Sequence, residues 1–461
     1  MHKISVKNDN RILYAEDGEL LGEVLIKNNL KLDHPCGGRG TCGKCTLKVN
    51  GKEELSCQYV VKSDIEIKLP DSFDIQTAFA GEEGGRVTEN MCLLFDAGTT
   101  TLVLALFSLD DGKIVRSITR NNPQRAFAAD VMSRIDYAAK NGAEKLTEVI
   151  INELNSMIEE LNCDNVPTLF VAGNTTMLHL LFGVNPSSMG QAPYTPVFID
   201  KRECRAESLG IKGSCSVVAL RGISAFVGAD IVAGLNCLEA DEERYNILVD
   251  LGTNAEVVLY SKNKLYCTAA AAGPCFEGVN ISCGMSATKG AIYSCTENTF
   301  LTIGGGEAKG ICATGLIDVI ALMLEGEYMD ETGFLEESFE ITDNVKVTGE
   351  DVRQFQLAKS AICSAIYALV KKAATSFECV DKVYVSGGFS SKMNVGNALR
   401  LGLLPMEAKG KIYPLDNSCL KGLCEYAQGR NSVEPLLVNA EYVDLAKDSY
   451  FGEQFIENMM F

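Results

Sequence analysis

The sequence predicts an α/β chain in three parts: a small β-grasp domain carrying four closely spaced cysteines, a short tether, and a larger two-lobed domain built by duplication. Three observations lead there. The run His34-Pro35-Cys36-Gly37-Gly38-Arg39-Gly40-Thr41-Cys42-Gly43-Lys44-Cys45, closed by Cys57, sits among short strand signals. From Pro70 to about Asn90 the composition shifts to Gly, Glu, Asp and Thr without periodicity. Beyond it, one D-x-G-T hairpin occurs twice, at Asp96 and at Asp250, each time after an apolar strand.

Composition narrows the function. A chain of 461 residues with 46% hydrophobic and 22% charged residues has room for several domains with real cores. No apolar run approaches the roughly 18 residues of a membrane span, and the start lacks a basic-then-apolar leader, so a cytoplasmic protein without a membrane partner is expected. Eighteen cysteines in such a chain argue for reduced thiols rather than a disulfide framework, in a setting with little oxygen. A net charge of −19 repels nucleic-acid phosphates, so no nucleic-acid partner is expected.

Residues 1–70 form the cysteine domain. Ile4-Ser5-Val6 and Arg11-Ile12-Leu13-Tyr14 read as short strands, and Leu20 to Ile26 has helical spacing with Asp17 as its N-cap. Asn50-Gly51 between alternating apolar residues marks a tight hairpin that folds Cys57 back beside Cys45. Ile65-Glu66-Ile67 alternates as a last edge strand, giving the order of a β-grasp ferredoxin. The spacing C-x5-C-x2-C-x11-C at Cys36, Cys42, Cys45 and Cys57 is close to the plant-type pattern that holds a two-iron two-sulfur cluster. A zinc site would close with a second C-x2-C or a pair of His, and neither follows.

Residues 71–90 read as a linker. After it, Leu93 to Thr101 matches Ile247 to Ala255, and both continue into a second strand, a turn and a third strand. Leu169-Phe170-Val171-Ala172-Gly173-Asn174 likewise resembles Val383-Tyr384-Val385-Ser386-Gly387-Gly388. Two meanders, each followed by helices and a strand ending in Gly, imply two similar lobes, over 91–240 and 241–461, facing a cleft.

In each turn the Asp emerges at a strand end and the Gly bends the chain. The following amides and hydroxyls, at Gly98, Thr99, Thr100 and Thr101 and at Gly252, Thr253 and Asn254, then form a concave donor set for phosphate oxygens. Asp96 and Asp250 are placed to approach Mg²⁺ through water, because that ion sheds its hydration shell reluctantly. Gly387 and Gly388, between a strand and a helix, let the backbone approach adenine or ribose. The small-residue helices at Gly228–Gly234 and Ile311–Ile320 are candidates for a hinge pair or for plain core packing.

Paired phosphate hairpins, two connecting helices and a Gly-Gly turn resemble the superfamily of acetate and sugar kinases, heat-shock chaperones and actin. That resemblance implies an actin-like (ribonuclease H-like, duplicated) ATPase. Joined to a plant-type ferredoxin, the arrangement resembles the ATP-dependent reductive activators of corrinoid proteins. Gly173-Asn174-Thr175-Thr176-Met177-Leu178-His179, Ala272 to Gly278 and Glu441 to Leu445 resemble segments of that family. The resemblance covers residues 1–70 and 91–461 and places Gly173 and Asn174 in the nucleotide site. Members of that family can carry an extra domain between linker and ATPase, whereas about twenty residues intervene here. The implied cofactors are a two-iron two-sulfur cluster, ATP and Mg²⁺. The implied partners are a corrinoid protein of a methyltransferase system and a low-potential electron donor, and a homodimer is compatible with both.

Two rival classes use the same motifs. A small-molecule kinase needs an acceptor pocket and a base, for which Asp230 and Glu256 are candidates. An activator of a radical dehydratase or reductase would hold a four-iron cluster, for which Cys275, Cys283, Cys295 and Cys312 are irregularly spaced. His34 reads as a loop residue and His179 as a satisfied core histidine. Cys419 and Cys424 share no helix face, and the Glu-rich stretch from Glu325 to Glu340 reads as solvated surface.

Overall fold

The alternating strands of the first 70 residues fold into a five-stranded mixed sheet. In this computed structural model the described residues are 1–7, 11–28, 30, 38, 40, 45–69 and 87–461. Cys36, Cys42 and His34, and the expected linker over 71–86, lie outside them. Strands β1 (His2–Val6), β2 (Arg11–Ala15), β3 (Thr46–Val49), β4 (Lys52–Leu55) and β5 (Ile65–Lys68) take the order β2-β1-β5-β3-β4. Helix α1 (Leu21–Lys27) buries Leu21, Val24 and Leu25 in the core that Ile4, Val6, Leu47, Ile65 and Ile67 also fill.

Two expectations are corrected. β5 is the central strand of the sheet, not an edge. Its alternation misleads because Ile65 and Ile67 face the core while Glu66 faces water, a pattern shown by any strand of a sheet with one solvated face. Asp17 does not cap α1. Leu20 holds the cap position without a side-chain bond, and Asp17 Oδ1 lies 2.7 Å from His2 Nε2 instead. The Asn50-Gly51 hairpin forms as expected, with both residues at positive φ, 49° and 84°, as a two-residue turn of this hand requires.

The remainder forms two sheets of matching topology. In the first lobe β6 (Met91–Ala97), β7 (Thr101–Ser108) and β8 (Lys113–Asn121) make an antiparallel meander. The chain returns through α2 (Val131–Asn141) and α3 (Glu144–Leu161) to β9 (Thr168–Gly173), which lies parallel to β6. After α4 (Thr175–Leu181), β10 (Arg202–Arg205) and β11 (Ser216–Ala219) complete the order β10-β11-β9-β6-β7-β8. α2 starts at a capping box in which Asp130 and Ser133 satisfy each other's amides, and α3 buries an apolar stripe including Leu146, Ile150, Leu154 and Met157.

The second lobe repeats this plan with a longer crossover. Following α5 (Ala229–Asn236), β12 (Tyr245–Leu251), β13 (Ala255–Tyr260) and β14 (Leu265–Ala270) form the meander. The crossover holds β15 (Ala291–Thr296), β16 (Thr299–Thr302) and β17 (Gly310–Ile311), then α6 (Ala313–Glu325). The hairpin β18 (Phe339–Thr342) and β19 (Val345–Val347) follows, and then α7 (Gly349–Lys372), whose buried face packs on β13 and β14. β20 (Val380–Gly387) returns parallel to β12. α8 (Val395–Arg400), β21 (Ile412–Pro414), α9 (Ser418–Ala427) and β22 (Glu441–Tyr442) complete the order β21-β20-β12-β13-β14-β22.

Compact units span Met1–Ala219 and Leu220–Phe461, so both small-residue helices belong to the second. α5 crosses α9, where a Cβ on Gly422 would sit 1.6 Å from the Ala233 carbonyl oxygen, while α6 packs on β15 and α8. Their small residues therefore serve core packing. Among the described residues no helix is long and apolar enough to cross a membrane.

Candidate functional site

The tight hairpin determines the cysteine end of the site. It carries the chain from Cys45 to Cys57, and the two Sγ atoms come to 3.3 Å, both thiols buried. Gly38 lies against Cys57 and Gly40 against the Gln58 side chain, at φ 79° and 74°, a conformation that glycine adopts without strain. Gln58 Nε2 donates to the Gly38 carbonyl at 2.6 Å, tying Gly38 to the turn that carries Cys57. Burial first, and the neighbouring Cys45 thiol second, push the Cys57 thiol up to about 11. Two buried, touching thiols beside glycine backbone suit soft metal ligation better than a structural role, since apolar packing alone needs no such pairing.

In the first lobe the register of the sheet sets the phosphate-type turn. Asp96 pairs with Ala172 and Ala97 with Gly173 across β6 and β9, so both strand ends stop at one level. Gly98 has no room for a side chain: a Cβ there would lie 2.4 Å from the Thr101 carbonyl oxygen. Gly173 is similarly confined, with a Cβ position 2.7 Å from the Ala97 carbonyl oxygen. Asn174 caps α4 by accepting from the Met177 amide at 3.0 Å, and its Nδ2 donates to Thr99 Oγ1 at 2.8 Å. Replacing Gly98 by Ala is therefore expected to force the turn apart at a cost of about 1–3 kcal/mol. A melting temperature unchanged from wild type would contradict that.

Two residues outside the sequence motifs hold this turn. Asn122, just after β8, donates to the Gly98 carbonyl at 2.8 Å, and its own amide donates to the Thr100 carbonyl at 2.9 Å. Arg134, fully buried on α2, donates to the Thr99 carbonyl at 2.6 Å and to the Ala128 carbonyl. Asn122-Pro123 at a strand end was a legible turn signal; a lone Arg in an amphipathic helix reads as solvent-facing, and nothing local marks it otherwise.

The second lobe repeats the register. Asp250 pairs with Ser386 and Leu251 with Gly387, the same offset that the first lobe shows between β6 and β9. Gly387, at φ 115°, would place a Cβ 2.2 Å from the Leu251 carbonyl oxygen, while the Cβ position of Gly388 meets open space. After this pair Phe389 caps a short 3-10 turn (Ser390–Lys392), and α8 starts only at Val395. The Gly252 amide is not part of an outward donor set, because it donates to the Asn254 carbonyl at 3.0 Å inside the turn. Thr253 Oγ1 donates to Glu277 Oε1 at 2.7 Å.

Three carboxyl groups converge beside this turn. Glu256 stands directly opposite Asp250 across β12 and β13, and Asp230 lies in the first turn of α5. Partly open by surface area yet enclosed by protein on most sides, Glu256 has its carboxyl held well above the usual range. Burial is the larger cause, and the Asp230 and Asp250 charges add to it.

The other singled-out residues have structural partners. Cys312 Sγ donates to the Ile292 carbonyl at 3.3 Å, and Cys295 and Cys283 face the carbonyls of Thr296 and Asn344. Cys275 is buried at the second-lobe core. Among the described residues no group of three or more His, Cys, Asp or Glu is arranged to hold a metal ion, so these four cysteines do not assemble. Glu325, Glu327, Glu331, Glu336, Glu337 and Glu340 are exposed.

His179 is a core residue. Its Nδ1 lies 2.7 Å from the Thr175 carbonyl and Nε2 accepts from the Val197 amide at 3.0 Å, with the ring stacked on Phe198 at 4.3 Å. Burial depresses its pKa below the ordinary 6.5, so the unfolded chain takes up a proton that the folded one refuses. Stability from this site is whole above pH 6.5 and falls as pH drops through it. Exchange of the Val197 amide, corrected for its intrinsic rate, is expected to accelerate between pH 7 and about 5.5. A constant protection factor would contradict the assignment.

Residues 91–243 match the model described as the RACo middle region, and residues 244–461 match that of the C-terminal domain of RACo, the ASKHA domain. The chain is 28% identical to the "Corrinoid activation enzyme RamQ" of Eubacterium limosum, over 96% of both chains. The aligned span of 575 positions exceeds the 461 residues present here, so RamQ carries inserted segments. It is 26% identical to the "[Co(II) methylated amine-specific corrinoid protein] reductase" of Methanosarcina barkeri, over 79% of this chain and 76% of that one. A shorter stretch, 15% of the chain, is 30% identical to the whole of "2Fe-2S ferredoxin-5" of Aquifex aeolicus (strain VF5). The solved structure titled "Reductive activator for corrinoid,iron-sulfur protein" is similar at a TM-score of 0.71 and 24% identity, covering 100% of this chain and 98% of that one. The ASKHA, actin-like ATPase fold of the large domain follows from these matches.

Proposed function

Because the chain belongs to the RACo family, we propose that it is an ATP-dependent reductive activator of a corrinoid protein, returning one electron to Co(II) to restore Co(I). Its similarity to RamQ and to the corrinoid protein reductase supports this reading. One observation carries it: a buried thiol pair 3.3 Å apart and a duplicated, glycine-confined hairpin occur in a single polypeptide.

Cys45 and Cys57, with Cys36 and Cys42 of the same sequence run, are the proposed ligands of a two-iron two-sulfur cluster, which supplies a one-electron relay. The protein's own part, at Cys45 and Cys57, is to keep both thiols buried and close together. Asp96 and Asp250 are the proposed partners of hydrated Mg²⁺. Gly98, Thr99, Thr100 and Thr101 of the first turn are proposed to bind phosphate oxygens, Gly252, Thr253 and Asn254 to form the second turn of the same nucleotide site, with the Gly252 amide spent inside that turn, and Gly387 and Gly388 to flank the nucleoside. Asn174, with Gly173, holds the first turn in register.

ATP has a physical task in this scheme. A plant-type ferredoxin centre sits at roughly −400 mV, and each 59 mV of mismatch to a lower-potential acceptor costs about 1.4 kcal/mol for one electron. A nucleotide offsets that only through different affinities for two states of the protein or its complex. The proposed activator draws on a low-potential donor in a cytoplasmic setting, with residues 71–90 as a tether between a ferredoxin domain over 1–70 and lobes over 91–240 and 241–461.

A kinase of the same superfamily is the second reading, favoured by Glu256 beside Asp250 and Asp230. Phosphate release separates the two. The proposal expects ATP hydrolysis stimulated by a corrinoid protein in its Co(II) state. Phosphoryl transfer to a small hydroxylated or carboxylated acceptor, with no response to the corrinoid protein, would overturn it.

A further inference from the structure

The two turns are alike in sequence, Asp96-Ala97-Gly98-Thr99 and Asp250-Leu251-Gly252-Thr253, yet their threonines have different neighbours. A hydroxyl has one proton and two lone pairs, so what its first partner takes decides what it can offer a ligand.

Thr99 Oγ1 accepts from Asn174 Nδ2 at 2.8 Å. The Asn174 amide cannot be reversed without loss, because its Oδ1 accepts from the Met177 amide at 3.0 Å and caps α4. Thr99 therefore keeps its proton for another acceptor. Its carbonyl is already engaged by Arg134 at 2.6 Å, so the hydroxyl proton is what the Thr99 side chain has left to offer.

Thr253 is the reverse. Its Oγ1 donates to Glu277 Oε1 at 2.7 Å, and a carboxylate has no proton to return. The Thr253 proton is committed, and only lone pairs remain for a ligand. Glu277 is held to this task by its backbone. The 3-10 turn Pro274–Glu277 lies between Gly273 and Gly278, at φ 78° and 73°, and a Cβ on Gly278 would sit 2.4 Å from the Met285 amide nitrogen.

We infer that the two turns are polarised in opposite senses: Thr99 donates to an anionic phosphate oxygen, and Thr253 offers its oxygen to the hydrated divalent cation that accompanies the nucleotide. Asn174 and Glu277 are the positioning residues that set these senses. Oxygen lone pairs suit a hard cation or its bound water and repel a phosphate oxygen. The inference rests on the reading of both turns as nucleotide-binding, and it goes beyond that reading by dividing the work between them.

The experiment compares affinity for ATP with excess chelator and with saturating Mg²⁺, by equilibrium titration of the full chain. Thr253→Val and Glu277→Leu are expected to weaken the Mg²⁺ form about tenfold more than the metal-free form. Thr99→Val is expected to weaken both forms by the same factor. Glu277→Gln, whose carbonyl oxygen still takes the Thr253 proton, is expected to stay within about twofold of wild type in the ratio of the two affinities. With Mn²⁺ in place of Mg²⁺, the electron paramagnetic resonance spectrum of the bound ion should change in Thr253→Val and not in Thr99→Val, a readout that loss of packing alone does not move. Equal weakening of both ATP forms in Thr253→Val overturns the division of labour while leaving nucleotide binding intact. A wild-type chain that binds ATP under neither condition overturns the underlying reading and the inference with it.

Discussion

Replacing Asp250 by Ala is expected to remove ATP-dependent cobalt reduction, lowering its rate by about 100-fold or more, to the level seen without nucleotide. Asp250 closes β12 with Ser386 on one side and Glu256 on the other. Its carboxylate is thus fixed at the turn by two ladders rather than by a mobile loop. It is proposed to hold hydrated Mg²⁺, and its cross-strand neighbour Glu256 is a poor replacement, since burial and nearby charge hold that carboxyl well above the ordinary range so that it resists ionisation. Loss of Asp250 also removes one of the charges that raise Glu256, so that carboxyl should fall back toward its usual range. Asp250→Asn keeps the shape and removes the charge, and it should behave like Asp250→Ala. A wild-type rate of cobalt reduction in either variant would sink the assignment.

Cys57→Ala is expected to have an effect as large at the other end of the chain. Its buried sulfur lies 3.3 Å from that of Cys45, and alanine offers no soft ligand in its place. After anaerobic reconstitution the variant should lose its visible absorption and hold under about half the iron of the wild-type protein. Cobalt reduction should stop even with excess low-potential donor. A coloured variant with an unaltered spectrum would remove Cys57 from the ligand set.

Much of this arrangement was legible because turn chemistry is local. Asn50-Gly51 announces its hairpin, and the hairpin brings Cys57 to Cys45. The twin D-x-G-T segments announce twin meanders. The weaker match of Leu169–Asn174 to Val383–Gly388 proved to mark the two parallel strands that flank them in the same register. Partners far apart in the chain were not legible. β5 alternates like an edge strand and sits at the centre. Asp17 has the spacing of a cap but meets His2. The Gly252 amide turns inward to Asn254, although its sequence matches that of Gly98.

The residues that tune the turns show the same division. Asn122 and Arg134 reach the first turn from 24 and 35 residues away, so no window of periodicity contains both ends of the contact. Glu277 was part of a segment singled out by resemblance, but its bond to Thr253 across 24 residues is a product of the fold. Sequence thus marked the two turns, while folding decided which side chains bond to Thr99 and to Thr253.

The most direct test joins both ends of the molecule in one cuvette. Reduced full-length protein is mixed without oxygen with the Co(II) form of a methyltransferase corrinoid protein, and the Co(I) absorption is followed with Mg²⁺ and ATP, and without nucleotide. The account predicts that Co(I) grows in only when ATP is present, at most one equivalent per two-iron cluster in a single turnover. Growth at the same rate without ATP would contradict it.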